Sequence, residues 1–383
     1  MKKVYVANKS RGFLTRLFNT KFDNIHFINE NRKVYDTKSN LRIILFEIVK
    51  SRLADHLGVI QRIKANNENA NFAFSYNRFL ESDNKYVIYL ENPLALVHYS
   101  TGRNKTLLGR AKLKKYLNDP NLMSIVCLSK ACYETLHSFY EIPSQVNIEQ
   151  IYPLIESNEL VSTEKIHLKS HNSDIQCLYI SSNFNLKGGK DIIDCFKRLK
   201  NQGKNNIKLK IITQKESLDD SVKNEINQNK NISLFDFNFN KEELNEIYSE
   251  SCILLNPSRQ DSFSLVVLEA MKAGNTILTT DLYAIPEMVS NDYNGYLTSP
   301  KFRYFNYDNL PNLEVWRNRK GTIHSDYIDD NIVNFLYEKL SYLENNRNEL
   351  ERLSLNSYEK ANSGKFSEEY IKEKWNGIFN DIQ

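Results

Sequence analysis

Residues 253–297 read ILLNPSRQDSFSLVVLEAMKAGNTILTTDLYAIPEMVSNDYNGYL, and this stretch limits the possible folds more than any other. A short apolar run at 253–255 stops at Asn256 and Pro257. A polar loop spans 258–264, with Arg259 its one cation and Asp261 its one carboxylate. Residues 265–273 have the apolar density of a buried helix, and Gly274 stands where a helix takes its terminal glycine. A second strand is predicted at 276–280, then a turn. The order strand, loop, helix, strand is that of an α/β chain.

Glu269 breaks the apolar pattern of the predicted helix, between Leu268 and Ala270. A carboxylate is rarely buried without a partner. It lies about 8 Å into a helix that starts near Ser264, at 1.5 Å per residue. The free N–H groups and partial positive charge of a helix N-terminus form a seat for phosphate. A nucleoside diphosphate seated there brings its ribose alongside Glu269, and Asp261 then faces whatever lies beyond the phosphates. The alternative is that Glu269 caps a neighbouring loop and Asp261 is simply solvated.

Residues 257–271 read P-S-R-Q-D-S-F-S-L-V-V-L-E-A-M. This resembles the P-S-x-x-E-(G/S)-F-G-L-x-x-x-E-A-M frame of retaining GT-B glycosyltransferases of the family-four type. The downstream G-x-P-E and turn elements of that family find counterparts in Ala284-Ile285-Pro286-Glu287 and in 291–295, ending on Gly295. The resemblance implies two Rossmann-like, doubly wound domains facing a central cleft. It places the donor sugar on Asp261 and the ribose on Glu269, with Ser262, Phe263 and Ser264 at the phosphates. Aspartate replaces the usual glutamate, which shortens its reach by one methylene, and Ser262 and Ser264 stand where glycines are common.

The 383 residues are enough for about two domains. The five cysteines show no metal-binding spacing and read as buried thiols of a reducing compartment. The N-terminal MKKVYVANKS reads as a first strand rather than a signal peptide, and no run approaches the roughly 20 apolar residues of a membrane span. Residues 1–150 carry 23 Lys/Arg against 13 Asp/Glu, while the whole chain is only +4. Such an imbalance predicts different partners for the two halves.

The predicted domains are 1–160 for the acceptor and 161–365 for the nucleotide sugar, with a last helix in 366–383 crossing back onto the first, as the resemblance implies. In the first, strands are expected at 4–7, 24–28, 71–76, 86–90 and 124–129, and helices at 41–64 and 130–140. The loop after the first strand, Asn8 to Gly12, holds a single glycine where the family has several. Glu91, Asn92 and His98 come after a strand, where doubly wound sheets seat their ligands. The resemblance makes a histidine in this region an orienting group at the reacting centre, and Glu91 and His98 are the catalytic candidates of this half, with a structural role the favoured alternative for His98.

Residues 103–115 carry Arg103, Lys105, Arg110, Lys112, Lys114 and Lys115 with no acid, interleaved with Leu107, Leu108, Leu113 and Leu117. This is a basic amphipathic helix, predicted to meet an anionic membrane surface or the acceptor, the alternative being a solvated helix whose leucines pack inward and whose charges serve only solubility. Residues 146–152 close the first half, and 153–170 read as a linker. In the second half, strands are expected at 175–181, 207–212 and 232–235, and helices from 190 to about 200 and at 241–250, 330–344, 347–361 and 367–379. Residues 301–325, with Trp316, read as an irregular insertion.

The family pattern G-R-x-x-x-x-K-G falls on 181–188. Lys187 matches its lysine, which neutralises the donor diphosphate, and Ser182 replaces its arginine. Arg259 is expected to compensate. Loops near Thr213 and at Asp236-Phe237 are expected to line the base pocket. With no D-x-D in the chain, the expected transfer needs no metal and no other cofactor, and the resemblance implies that the departing phosphate deprotonates the acceptor. Expected partners are a nucleotide sugar, a glycan or polyprenyl-diphosphate-linked acceptor and an anionic membrane, with no nucleic acid. The expected place is peripheral, on the cytoplasmic face. The alternatives are a degenerate GT-B subunit that binds a partner without turnover and, behind it, a GT-B sugar-nucleotide epimerase.

Overall fold

The computed structural model describes residues 1–7, 12–28 and 51–382, and the chain divides into two compact units. The first comprises Met1–Ile155 with Lys365–Gln383, and the second Glu156–Gly364.

The first unit holds β1 (Lys2–Val6), β2 (Ile25–Ile28), β3 (Ile63–Lys64), β4 (Phe72–Tyr76), β5 (Leu80–Glu81), β6 (Tyr86–Leu90), β7 (Leu122–Cys127) and β8 (Asn147–Gln150). Six of these form a parallel sheet in the order β2-β1-β4-β6-β7-β8, while β3 and β5 pair separately. The central strands β4 (FAFSY) and β6 (YVIYL) are buried along their whole length. That is why they read as continuous apolar runs rather than alternating ones. The last helix, Glu368–Asp381, packs on this sheet through Trp375 and Phe379, whose rings meet Tyr89, Phe74, Phe72 and Phe27 at 5.1–5.8 Å. Lys2 Nζ donates to the carbonyls of Phe379, Asn380 and Ile382 at 2.8–3.2 Å, a cation on the negative end of that helix.

The second unit holds β9 (Ile175–Ile180), β10 (Ile207–Thr213), β11 (Ile232–Asp236), β12 (Ile253–Asn256), β13 (Thr276–Thr280) and β14 (Gly295–Thr298). All pair in parallel, in the order β11-β10-β9-β12-β13-β14. Chain progression therefore reverses between β9 and β12, and ligands of doubly wound sheets bind beyond the strand ends at such a switch point.

Several expectations need correction. Residues 41–50 of the predicted helix at 41–64 lie outside the described residues. Its remainder is a short helix, Arg52–His56, then Gly58 at φ 58 and strand β3. A side chain at Gly58 would collide with the backbone of Leu108 and Gly109, so the chain turns there on a glycine. Positions 8–11 of the first loop also lie outside the described residues.

The predicted linker contains a helix, Thr163–Ser170, capped by Ser162 and anchored by buried Ile166 and Lys169. The ammonium of Lys169 donates to Ala273 O and Asn275 Oδ1, both at 2.8 Å, at the end of helix Leu265–Lys272. A helix at Asp220–Asn227 is not evident from the sequence pattern, because only Val222 and Ile226 face inward. The insertion is ordered around Trp316, whose ring stacks on Tyr304 at 4.4 Å and whose N–H donates to the Tyr304 carbonyl at 2.7 Å.

Candidate functional site

Two loops meet at the switch point of the second unit. The first leaves β9 and ends at Gly188, and the second leaves β12 and ends at Ser264. Arg259 N–H donates to Leu186 O at 3.0 Å. Gly188 has φ 72, and a side chain there would collide with the Pro257 carbonyl, so only glycine lets the loops approach this closely. Lys187 bridges them: Nζ donates to Gln260 O at 2.7 Å and pairs with Asp261 Oδ2 at 2.6 Å. The other Asp261 oxygen accepts from Ser262 N–H at 2.9 Å. The structure thus brings Lys187 and Asp261 together, 74 residues apart in sequence.

Behind this pair, Asn256 fixes the loop end. Its Nδ2 donates to Ser264 Oγ and Thr279 Oγ1, both at 3.1 Å. Ser264 adopts φ 64, the left-handed region that a glycine takes without strain, which explains why a glycine suits this position. Phe263 is buried beside it. Helix Leu265–Lys272 then starts, with Val267 N–H donating to Ser264 O at 3.0 Å and no side-chain hydrogen bond from Ser264 capping its first turn. Glu269 is half-buried and accepts a hydrogen bond from the Tyr248 hydroxyl at 2.9 Å. Tyr248, on helix Lys241–Glu250, escapes sequence reasoning because nothing local links it to Glu269.

Arg259 does not stand where the sequence pattern puts it. It is 2% exposed, and its Nη2 reaches both Asp191 oxygens at 2.9–3.0 Å and Tyr327 O at 2.7 Å, with the guanidinium 3.9 Å from the Tyr327 ring. Asp191 also accepts from Asp329 N–H at 2.8 Å. Burial pushes the Asp191 carboxyl up to about 6 against the pull of Arg259, so at neutral pH the pair is ionic. Arg259 ties the insertion's return to the sheet and is not offered to a diphosphate.

The loops expected at the base pocket come after β10 and β11. Thr213 Oγ1, at the end of β10, is buried with no hydrogen-bond partner among the described residues. Asp236 ends the edge strand β11 and Phe237 follows it, both exposed, with Asp236 Oδ1 accepting from Phe237 N–H and Lys215 N–H.

In the first unit, Glu91 is buried and accepts from the hydroxyls of Tyr76 and Tyr99, the latter at 2.6 Å. His98 takes the structural alternative rather than the catalytic one. It sits at φ 60, and its Nε2 accepts from Gln61 N–H at 3.0 Å. Burial, aided by the charges of Arg78 and Arg103, pushes it down to about 3, so it stays neutral and holds backbone rather than a proton.

Arg103 is a correction. It is fully buried, paired with Asp55 at 2.9 Å and bonded to Val59 O and Val97 O. It belongs to a short turn, Arg103–Lys105, ahead of helix Leu107–Leu117. Leu113 and Leu117 face inward, whereas Leu107 and Leu108 are 79% and 52% exposed beside Lys105, Arg110, Lys114 and Lys115. Lys112 is half-buried near Leu57 O.

The fold is that of GT-B glycosyltransferases: two α/β units with parallel sheets. Residues 162–304, which span the whole switch-point site, match the family glycosyl transferases group 1. Among solved structures, the chain is similar to WaaG, a glycosyltransferase involved in lipopolysaccharide biosynthesis, at 14% identity and TM-score 0.60, covering 99% of this chain and 100% of that one. Sucrose-phosphate synthase from Thermosynechococcus elongatus matches at 12% and TM-score 0.62, covering 100% and 99%. Anabaena Alr3699/HepE, solved with UDP and glucose, matches at 12% and TM-score 0.58, covering 99% and 100%. No curated protein sequence matches the chain. Among the described residues, no helix is long and apolar enough to cross a membrane.

Proposed function

We propose that this chain is a retaining glycosyltransferase that moves a sugar from a nucleotide-diphosphate donor to a glycan or lipid-linked acceptor of a surface polysaccharide or glycoconjugate. The observation that carries this is the Lys187–Asp261 bridge between two loops at the switch point, inside the segment that matches the family. Glu269, aimed by Tyr248, takes the ribose hydroxyls. The phosphates lie on the first-turn N–H groups of helix Leu265–Lys272 and on Lys187. Asp261 takes the donor sugar's hydroxyls.

The bond from the sugar's anomeric carbon to the diphosphate oxygen breaks, and negative charge gathers on the diphosphate. Fixed donors aimed at that charge lower the barrier, since they need no reorganisation. The acceptor oxygen then bonds to the same face, and its proton passes to the departing phosphate. The account uses no protein nucleophile and no metal.

Asp261→Asn is expected to cut turnover while nucleoside diphosphate affinity stays near wild type, measured by donor-dependent release of nucleoside diphosphate and by calorimetry. Equal loss of both would place Asp261 at the nucleotide instead. Turnover is expected to survive a chelator; its abolition would contradict the metal-free account.

One observation favours a second reading. With Ser182 in place of arginine and Arg259 committed to Asp191, Lys187 carries the diphosphate with less cationic help than the family pattern supplies. A GT-B subunit that binds a partner without turnover would show no nucleoside diphosphate affinity.

The same proposal places the enzyme peripherally on the cytoplasmic face of a membrane. Leu107 and Leu108 offer shallow insertion, and Lys105, Arg110, Lys112, Lys114 and Lys115 offer about 1 kcal/mol each near an anionic leaflet. Arg103 takes no part. Co-sedimentation is expected with anionic vesicles at low salt, to fall with added salt, and to vanish when Arg110, Lys112, Lys114 and Lys115 become glutamine. Wild-type protein left in the supernatant at low salt would defeat this placement.

A further inference from the structure

His167 lies on helix Thr163–Ser170 and His171 caps its end, four residues on and therefore on the same face. Glu351 faces them from helix Arg347–Asn362. His167 Nδ1 lies 3.0 Å from Glu351 Oε1, and His171 Nε2 lies 2.8 Å from Oε2. The three ligand atoms all fall within 4.8 Å of one another. Tetrahedral Zn–N and Zn–O bonds of about 2.0–2.2 Å separate neighbouring ligand atoms by about 3.3 Å. The His–Glu spacings need only open by a few tenths of an ångström to accept an ion, a shift within the reach of surface side chains.

We propose that His167, His171 and Glu351 form a site for a divalent transition-metal ion, separate from the switch-point loops. Two imidazoles and one carboxylate suit Zn²⁺, Ni²⁺ or Co²⁺, whereas Mg²⁺ and Ca²⁺ require oxygen ligands. The side chains of His167 and His171 are 57% and 32% exposed, which gives an ion its entry path and leaves the fourth position to water.

The frame around the site is already fixed. Arg347 Nη2 donates to Ser173 O at 3.0 Å, and Gly274 lets Ile166 pack against its backbone, since a side chain there would collide with Ile166. The ion would clip the helix that opens the second unit to one near its end. Helix Arg347–Asn362 also packs on helix Leu265–Lys272, which carries Glu269, so the clip would stiffen the support behind the switch-point helix.

The test is calorimetry and thermal unfolding of the full, tag-free chain with ZnCl₂, NiCl₂ and MgCl₂. All five cysteines are buried, so the folded protein offers no competing thiol at its surface. The expected result is stoichiometric Zn²⁺ and Ni²⁺ binding, a raised Tm, and no response to Mg²⁺. His167→Ala/His171→Ala should abolish stoichiometric binding, and Glu351→Gln should weaken it at least tenfold. Co²⁺ added to wild-type protein should give visible d–d bands that Zn²⁺ bleaches, which keeps the test valid if a variant misfolds. No binding by the wild type, no bands with Co²⁺, or unchanged binding by the folded double variant would each overturn the proposal.

Discussion

Arg259→Ala should lower the unfolding free energy of the second unit by about 3–5 kcal/mol, the cost of stranding a buried charge. Asp191 is fully buried, and without Arg259 its carboxylate is left with the Asp329 N–H, a neutral donor. The segment through Tyr327 and Asp329 loses its anchor at the same time. Urea unfolding followed through Trp316, with Trp375→Phe silencing the first unit, reads this directly, since each unit holds one of the two tryptophans. A double replacement, Arg259→Met with Asp191→Leu, should lose less than the single one, because no charge is then stranded. The opposite pattern, a stable Arg259→Ala protein that has lost nucleoside diphosphate affinity, would return Arg259 to the diphosphate.

Lys187→Ala should reduce turnover about 10²–10³-fold, the loss seen when one fixed donor to developing negative charge is removed. Before donor arrives, the ammonium sits between Gln260 O and Asp261. It is held at the loop junction by Gly188, and Asp261 is held by it in turn. Lys187→Arg should restore only part of the rate, since the planar guanidinium cannot reproduce a point charge seated at 2.6–2.7 Å from two acceptors. Turnover near wild type in a folded Lys187→Ala protein would remove Lys187 from the chemistry.

The central strands are legible in the sequence because strands buried on both faces are continuous apolar runs, as β4, β6 and β12 are. The frame from Pro257 to Met271 is legible because its spacing is local. What escapes is set by distant partners. The ion pairs of Arg259 with Asp191 and of Arg103 with Asp55 join residues 68 and 48 apart, and each turns a cation that reads as ligand-binding into a strut. His98 looks like a site residue from its place after a strand, but Gln61 N–H claims its Nε2. Helix Thr163–Ser170 is hidden because its inward face is one isoleucine and a lysine whose charge is met by Ala273 and Asn275. The order of the insertion rests on Trp316 and Tyr304, a pairing no periodicity announces.

The central claim is that the switch-point site of the second unit binds a nucleoside diphosphate with Glu269 on the ribose. Calorimetric titration of wild type and Glu269→Ala with uridine, guanosine and thymidine diphosphates tests it. At least one should bind the wild type, and the variant should bind it more weakly by about 1.5–3 kcal/mol, the worth of a hydrogen bond to a charged group. Unchanged affinity in a folded Glu269→Ala protein, or no affinity of the wild type for any of the three, would contradict it.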